Sequence, residues 1–216
     1  MMKCVIFDFD GTLVNTETDV IYCFNKALIS HGYPEREYGY IRSLIGKNLD
    51  QIVTALLPDE SRTKECIDLV KTTYREFYAS YEKPNTKPFT GIKKLLDTLK
   101  SDGVKIAINS NKGQDLLEKI ANDLFGTDYF DAIFGYNVGV PSKPDPYGVQ
   151  YIMDICKSSA EDTLYVGDSE VDILTAKNAG IKVCAVGWGV GNLKDMIDIY
   201  GVSVYNDTDE LITTIK

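Results

Sequence analysis

Near the start of the chain an apolar run, Cys4-Val5-Ile6-Phe7, ends in Asp8; Phe9 and a second aspartate, Asp10, come next, then Gly11-Thr12-Leu13. A run of this kind reads as a strand buried on both faces. Two carboxylates at its end are costly unless something positive sits between them. Polar groups close two later apolar runs in the same way. Ser110 and Asn111 follow VKIAIN, and Asp168, Ser169 and Asp172 follow TLYVG. In a parallel sheet, ligands bind beyond the carboxyl ends of the strands, so these three ends are candidates for one site. Four carboxylates drawn to one rim repel unless a hard cation is present. An oxygen-rich set of this kind suits Mg²⁺, which takes few protein ligands and leaves room for water and phosphate.

Other residues fit the same chemistry. Lys143 lies in VPSKPDP, where flanking prolines stiffen the loop, and is a fixed positive charge suited to phosphate and carboxylate. Gly11 permits a tight turn after Asp10. Thr12 and Ser110 each offer a hydroxyl and a backbone N–H to an anionic oxygen. The competing reading is helix capping: Ser110 or Asn111 would cap a helix at 113–124, and Asp168 or Ser169 one at 170–179. Capping needs one short polar residue per turn and does not account for four carboxylates. His31 is the only histidine, which excludes a His-dependent nucleophile triad and a multi-histidine zinc site. It lies in ALISHGYPE, at a helix end, and is read as non-catalytic.

The elements that must position these residues come in two textures. After the strand at 4–8, apolar spacing predicts helices at 16–30, 37–44, 48–57 and 60–81 with no strand between them. In the last of these, Ser61 is the expected cap, with Cys66, Leu69, Val70, Thr73 and Phe77 on one side. EKPNTKPFTG, residues 82–91, reads as a linker. Strands at 104–109, 131–135, 163–167, 182–186 and 201–205 then alternate with helices at 90–101, 113–124, 145–157, 170–179, 192–198 and 207–215. That alternation predicts an α/β fold, a parallel sheet covered by helices on both faces. The first strand joins this sheet, so the helical block is an insertion. The expected division is a core of residues 1–13 and 84–216 and a helical cap of residues 14–83.

With 216 residues, 44 % hydrophobic and 25 % charged, the chain can bury a full core. A net charge of −9 argues against nucleic acid or an anionic membrane as partner of the bulk surface, but local cations still allow an anionic small substrate. Five scattered cysteines without CxxC spacing read as free thiols in a reducing compartment. No 18-residue apolar run or signal-length apolar N-terminus occurs, so the expectation is cytoplasmic. The sequence carries no readable signature of oligomeric state.

DFDGTL (8–13), the strand ending in Ser110, Lys143-Pro144 and GDSEVD (167–172) together resemble the four ordered motifs of the haloacid dehalogenase-like hydrolase superfamily. The likeness covers the whole chain. The helical insert resembles the small cap of the phosphoglycolate phosphatase, β-phosphoglucomutase and pyrophosphatase group. NSNK (109–112), DSEVDILTAKNAGIK (168–182) and VGWGVGN (186–192) resemble the phosphoglycolate phosphatase branch. The resemblance implies a Rossmann-like core and an Mg²⁺-dependent phosphatase of small phosphorylated metabolites. It implies Asp8 as the nucleophile that becomes an aspartyl-phosphate, and Asp10 as the acid, then the base. Ser110, Asn111 and Lys143, with Gly11 and Thr12 at the turn, would hold the phosphoryl group. Mg²⁺ would rest on the Asp8 carboxylate, the Asp10 backbone carbonyl and Asp168, with Asp172 one step removed or acting through water. A haloacid dehalogenase is disfavoured, because that branch lacks the second aspartate. A β-phosphoglucomutase-like phosphomutase is the main rival, with Arg42, Gly46, Lys47 and Arg75 as candidates to grip a sugar phosphate. A pyrophosphatase and a non-enzymatic binding protein of the same fold are further alternatives. Residues 44–53 are expected to reach toward the leaving group, and most insert tyrosines (22, 38, 40, 74, 78, 81) to pack within it.

Overall fold

The structure is a computed structural model describing residues 2–215. In chain order it contains β1 (Cys4–Phe7), β2 (Val14–Asn15), α1 (Glu17–Ser30), α2 (Tyr38–Arg42), α3 (Leu49–Leu56) and α4 (Lys64–Ser80). Then come β3 (Lys87–Pro88), α5 (Ile92–Ser101), β4 (Lys105–Gly113), α6 (Gln114–Phe125), β5 (Ala132–Tyr136) and α7 (Tyr147–Cys156). The chain ends with β6 (Thr163–Gly167), α8 (Glu170–Ala179), β7 (Lys182–Val186), α9 (Leu193–Asp198), β8 (Val204–Tyr205) and α10 (Thr208–Ile215).

Six strands form one parallel sheet in the order β5-β4-β1-β6-β7-β8. β1 is central, which is why all four of its residues are apolar and fully buried. Successive side chains alternate between two faces. Val5 and Phe7 join the larger core with Ile106, Ile108 and Val166, while Cys4 and Ile6 pack with Ala107, Tyr165, Val149 and Ile152 beneath α7. Strand order runs outward from β1 in both directions, so β1 is the switch point where a ligand crevice opens. Register completes the positioning. Phe7 pairs with both Ile108 and Val166, so Asp8 leaves the sheet beside Asp168, just beyond β6, and beside Ser110, which lies within β4 because that strand runs past the expected end at 109 to Gly113 through a register shift.

The helices between β1 and α5 are attached through two short strands, β2 and β3, which pair antiparallel. Sequence periodicity did not reveal this pair, because two residues are too few to show alternation. The Asp19 carboxylate, fully buried, fixes the same junction by accepting from the Asn85 N–H (3.0 Å), Asn85 Nδ2 (2.9 Å) and Thr86 Oγ1 (2.7 Å). The α1 face read from spacing (Val20, Ile21, Phe24, Ala27, Leu28) is buried. α4 differs from expectation. It starts at Lys64 with Thr63 as cap, and Ser61 lies instead in a 3₁₀ turn at Asp59–Ser61. Its buried side is Val70, Tyr74 and Tyr78, whereas Leu69 and Phe77 are exposed. The larger aromatic area decides the rotation: Tyr74 stacks on Phe24 with centroids 3.9 Å apart. β8 is shorter than expected, pairing with β7 only at Val204 and Tyr205.

Candidate active site

Asp8, Asp168 and Asp172 converge at the carboxyl ends of β1 and β6. All three are buried, and each offers an oxygen within 4.8 Å of the others. Lys143, on the loop after β5, places Nζ 2.8 Å from Asp8 Oδ1 and 2.6 Å from Asp172 Oδ1. Its side chain is 2 % exposed, so the ion pairs are shielded from solvent. Three carboxylates share one ammonium, and this imbalance sets their electrostatics. Burial, then the neighbouring Asp172, raises the Asp8 carboxyl well above the usual range against the opposing pull of Lys143. Asp168 is pushed up to about 7, by burial first and Asp172 second. Lys143 keeps its charge: burial disfavours it, but Asp172 and Asp8 outweigh burial and raise its pKa.

The remaining contacts distinguish the three acids. Asp172 is fully committed. Oδ1 accepts from Lys143 and, at 3.3 Å, from the Tyr165 hydroxyl; Oδ2 accepts from the Ser169 N–H (3.0 Å) and hydroxyl (2.6 Å). Ser169 caps α8 and Asp172 closes the reciprocal box, so the capping reading holds for this turn as well as the charge-cluster reading. Asp168 accepts from Thr12 Oγ1 (2.9 Å) on one oxygen and from the Val190 N–H (2.8 Å) on the other. Each oxygen keeps a lone pair. Asp8 uses Oδ1 for Lys143, with no donor on Oδ2 among the described residues. Excess buried negative charge, hard oxygen donors and free lone pairs on Asp8 and Asp168 fit a divalent cation. Gly11 is required where it stands: its φ is +89°, and a Cβ there would lie 2.4 Å from Asp168 Oδ2.

Asp10 does not join the cluster. Its carboxylate accepts from Lys112 Nζ at 2.8 and 3.1 Å and from Thr16 Oγ1 at 2.5 Å. Lys112 is the residue that sequence reasoning missed. Its side chain is 7 % exposed, and its ammonium lies 4.8 Å from the Tyr78 ring centroid. Burial works against that charge, but Asp10 outweighs it and raises the lysine pKa. The signal was present in NSNK, two residues beyond Ser110.

A cavity of about 360 Å³ opens over Asp8 and Asp10, with Ser110, Lys112 and Lys143 in its wall. Gly46, Lys47 and Arg75 also line it, so residues 44–53 do reach the site; among the described residues Lys47 and Arg75 have no ion-pair partner. Arg42 is not in the lining; its guanidinium is held by Glu17 and Gly189. Tyr74 lines the cavity, Tyr78 is buried, and Tyr22, Tyr38 and Tyr40 are exposed. Two expected phosphate contacts are otherwise engaged. The Thr12 hydroxyl is on Asp168. Asn111 accepts from the Lys143 N–H (2.9 Å) and donates to the carbonyls of Gly46 (3.1 Å) and Lys143 (3.4 Å). It therefore positions the lysine loop and joins it to residues 44–47. The Ser110 hydroxyl accepts from the Lys112 N–H at 3.2 Å and retains its proton for a ligand.

The chain resembles known proteins along its full length. It is 32 % identical over 211 residues to a phosphoglycolate phosphatase of Aquifex aeolicus, covering 98 % of this chain and 97 % of that protein. It is 31 % identical to the pyrophosphatase PpaX of Halalkalibacterium halodurans, covering 93 % and 98 %. A solved structure from Lactobacillus delbrueckii subsp. bulgaricus superposes with a TM-score of 0.91 at 26 % identity, covering 100 % and 99 % of the two chains. The haloacid dehalogenase-like hydrolase family model matches residues 5–186, from the strand that delivers Asp8 to the end of β7. The chain belongs to the haloacid dehalogenase-like hydrolases.

Proposed function

We propose that the protein is an Mg²⁺-dependent phosphatase of small phosphomonoesters that works through an aspartyl-phosphate on Asp8. The observation that carries this reading is the buried Asp8–Lys143–Asp172 arrangement beside Asp168, at the wall of a cavity sized for a small metabolite. Asp8 Oδ2, the oxygen free of Lys143, attacks phosphorus. Lys143 and the Ser110 hydroxyl hold the phosphoryl oxygens, and Lys143 offsets repulsion between Asp8 and an anionic substrate. Asp10 relays a proton from its Lys112 partner to the leaving oxygen and later takes one from the attacking water. The side chains of Asp8 and Asp168 and the Asp10 backbone carbonyl would hold Mg²⁺, which supplies positive charge opposite the transferring group when bound. Asp172, with both oxygens engaged, acts by fixing Lys143 and Ser169.

Residues 1–13 and 84–216 serve as the catalytic core, and residues 14–83 as the cap that excludes water over the cavity. The relatives' substrates, phosphoglycolate and pyrophosphate, each carry a second anionic group. The unpaired cations Lys47 and Arg75 in the lining suit such a substrate, and pyrophosphate is the second reading. Five free cysteines support a reducing, cytoplasmic setting. The test is phosphate release with Mg²⁺ across a panel containing phosphoglycolate, pyrophosphate, sugar phosphates and neutral-tailed phosphomonoesters. Turnover of at least one small phosphomonoester is expected, and failure on the whole panel rejects the phosphatase reading.

A further inference from the structure

Arg42, at the end of α2, sits outside the cavity and yet makes the contact that ties the insert to the metal-ligand candidate Asp168. Nε donates to Glu17 Oε1 at 2.9 Å, and Nη2 donates to the Gly189 carbonyl at 2.9 Å. The next backbone N–H, that of Val190, donates to Asp168 Oδ2 at 2.8 Å. The Gly189 carbonyl and the Val190 N–H belong to a single peptide group, which is planar and rigid. One edge of that plane is therefore held by Arg42 and the opposite edge holds Asp168. A charged donor on the carbonyl also polarises the amide and strengthens its N–H as a donor. The close approach depends on glycine at 189, where a Cβ would lie 2.3 Å from Asp168 Oδ2. Trp188 anchors the same loop by donating Nε1–H to the Thr12 carbonyl at 3.0 Å, and Thr12 Oγ1 holds the other oxygen of Asp168.

We propose that Arg42 is a positioning residue: by gripping the 189–190 peptide from the cap, it makes closure of the cap and placement of the Asp168 carboxylate a single event. An open cap would withdraw the guanidinium and free the peptide to rotate away from Asp168. Substrate enclosure and metal binding then favour each other, as linked equilibria must. The binding arm of this inference does not depend on which substrate is used; only its kinetic arm rests on the phosphatase reading.

The chain contains one tryptophan, and it lies in the loop that should move. Emission from Trp188 is therefore a direct readout, titrated with Mg²⁺ alone and with Mg²⁺ plus beryllium trifluoride as a phosphoryl mimic. In the wild type, emission should change and saturate with Mg²⁺. In Arg42→Ala, half-saturation should rise about tenfold, the loss expected from one partly exposed charged hydrogen bond, and calorimetric Mg²⁺ affinity should fall in parallel. Arg42→Lys keeps the charge but cannot span Glu17 and Gly189 together, so it should fall between the two. With an active panel substrate, the same order should appear in the Mg²⁺ dependence of kcat. If both folded variants bind Mg²⁺ as the wild type does and keep its Trp188 response, the inference is wrong, even if their melting temperatures drop. If Arg42→Ala does not fold, Arg42→Lys decides by the same titration. A wild type inactive on every substrate would remove the phosphatase reading and leave the Mg²⁺ titration as the deciding test.

Discussion

Replacing Lys143 with methionine removes one ammonium and leaves the surrounding volume nearly unchanged. The wild-type Nζ lies 2.8 Å from Asp8 and 2.6 Å from Asp172, with all three side chains at most 3 % exposed. Removing one member of a buried ion pair costs about 3–5 kcal/mol, because the partner is left charged and unsolvated. Here two carboxylates lose their cation and Asp168 stands beside them, so the upper part of that range applies when all are ionised. The carboxyls can escape by taking up protons, which makes the cost depend on pH. Urea denaturation in EDTA should give a loss of about 4–5 kcal/mol at pH 8 and a much smaller one at pH 5. With Mg²⁺ the variant should regain part of its stability. Its kcat should stay down by about 10²–10³-fold, the scale of losing a preorganised charge opposite the reacting group. A loss below about 1 kcal/mol at pH 8, or an equal loss at both pH values, would refute this account of the cluster.

Three further outcomes follow from the same geometry. In EDTA the wild type should lose stability as pH rises from 4 to 7, because Asp168, raised from 3.8 to about 7 by folding, binds its proton more tightly in the native state; thermal melts should show Mg²⁺ offsetting that loss most strongly at the upper end. Asp19→Ala strands the Asn85 and Thr86 donors at the cap junction and should cost about 3 kcal/mol in urea denaturation, whereas an unchanged midpoint would contradict the clamp. Lys112→Ala should lower kcat about tenfold or more by freeing Asp10 to leave its position, measured as a pH–rate profile; an unchanged profile would show that the pair is only structural.

The chemistry-bearing ends of β1, β4 and β6 were legible in the sequence because buried parallel strands write themselves as continuous apolar runs, so the polar residue that breaks each run marks the site. Asp8 and Asp168 lie directly beyond β1 and β6, whereas Ser110 lies inside β4, which continues to Gly113, and Lys143 and Asp172 reach the same cluster from a loop and from the first turn of α8. What each side chain contacts was less legible. Thr12 and Asn111 have the right chemistry for phosphate but spend it on Asp168 and on the Lys143 backbone, a choice set by partners 156 and 32 positions away. Lys112 escaped notice because an isolated lysine after a strand reads as a solvated side chain, and only the Asp10 carboxylate 102 positions away makes it buried. The rotation of α4 was misjudged for a related reason: Leu69 and Phe77 matched the period, but Phe24 on α1 offered Tyr74 a ring to stack on. β2 and β3 exist only as a pair, so neither has a local signal.

The proposed route takes phosphate through Asp8. The most direct measurement is rapid quench of the enzyme during turnover of its best panel substrate, followed by borohydride reduction and peptide mass spectrometry. Reduction converts an aspartyl-phosphate to homoserine, so homoserine is expected at position 8 in the wild type and unmodified asparagine in Asp8→Asn, which should also be inactive. Unmodified Asp8 in an enzyme quenched at steady state, together with substantial turnover by Asp8→Asn, would contradict that route.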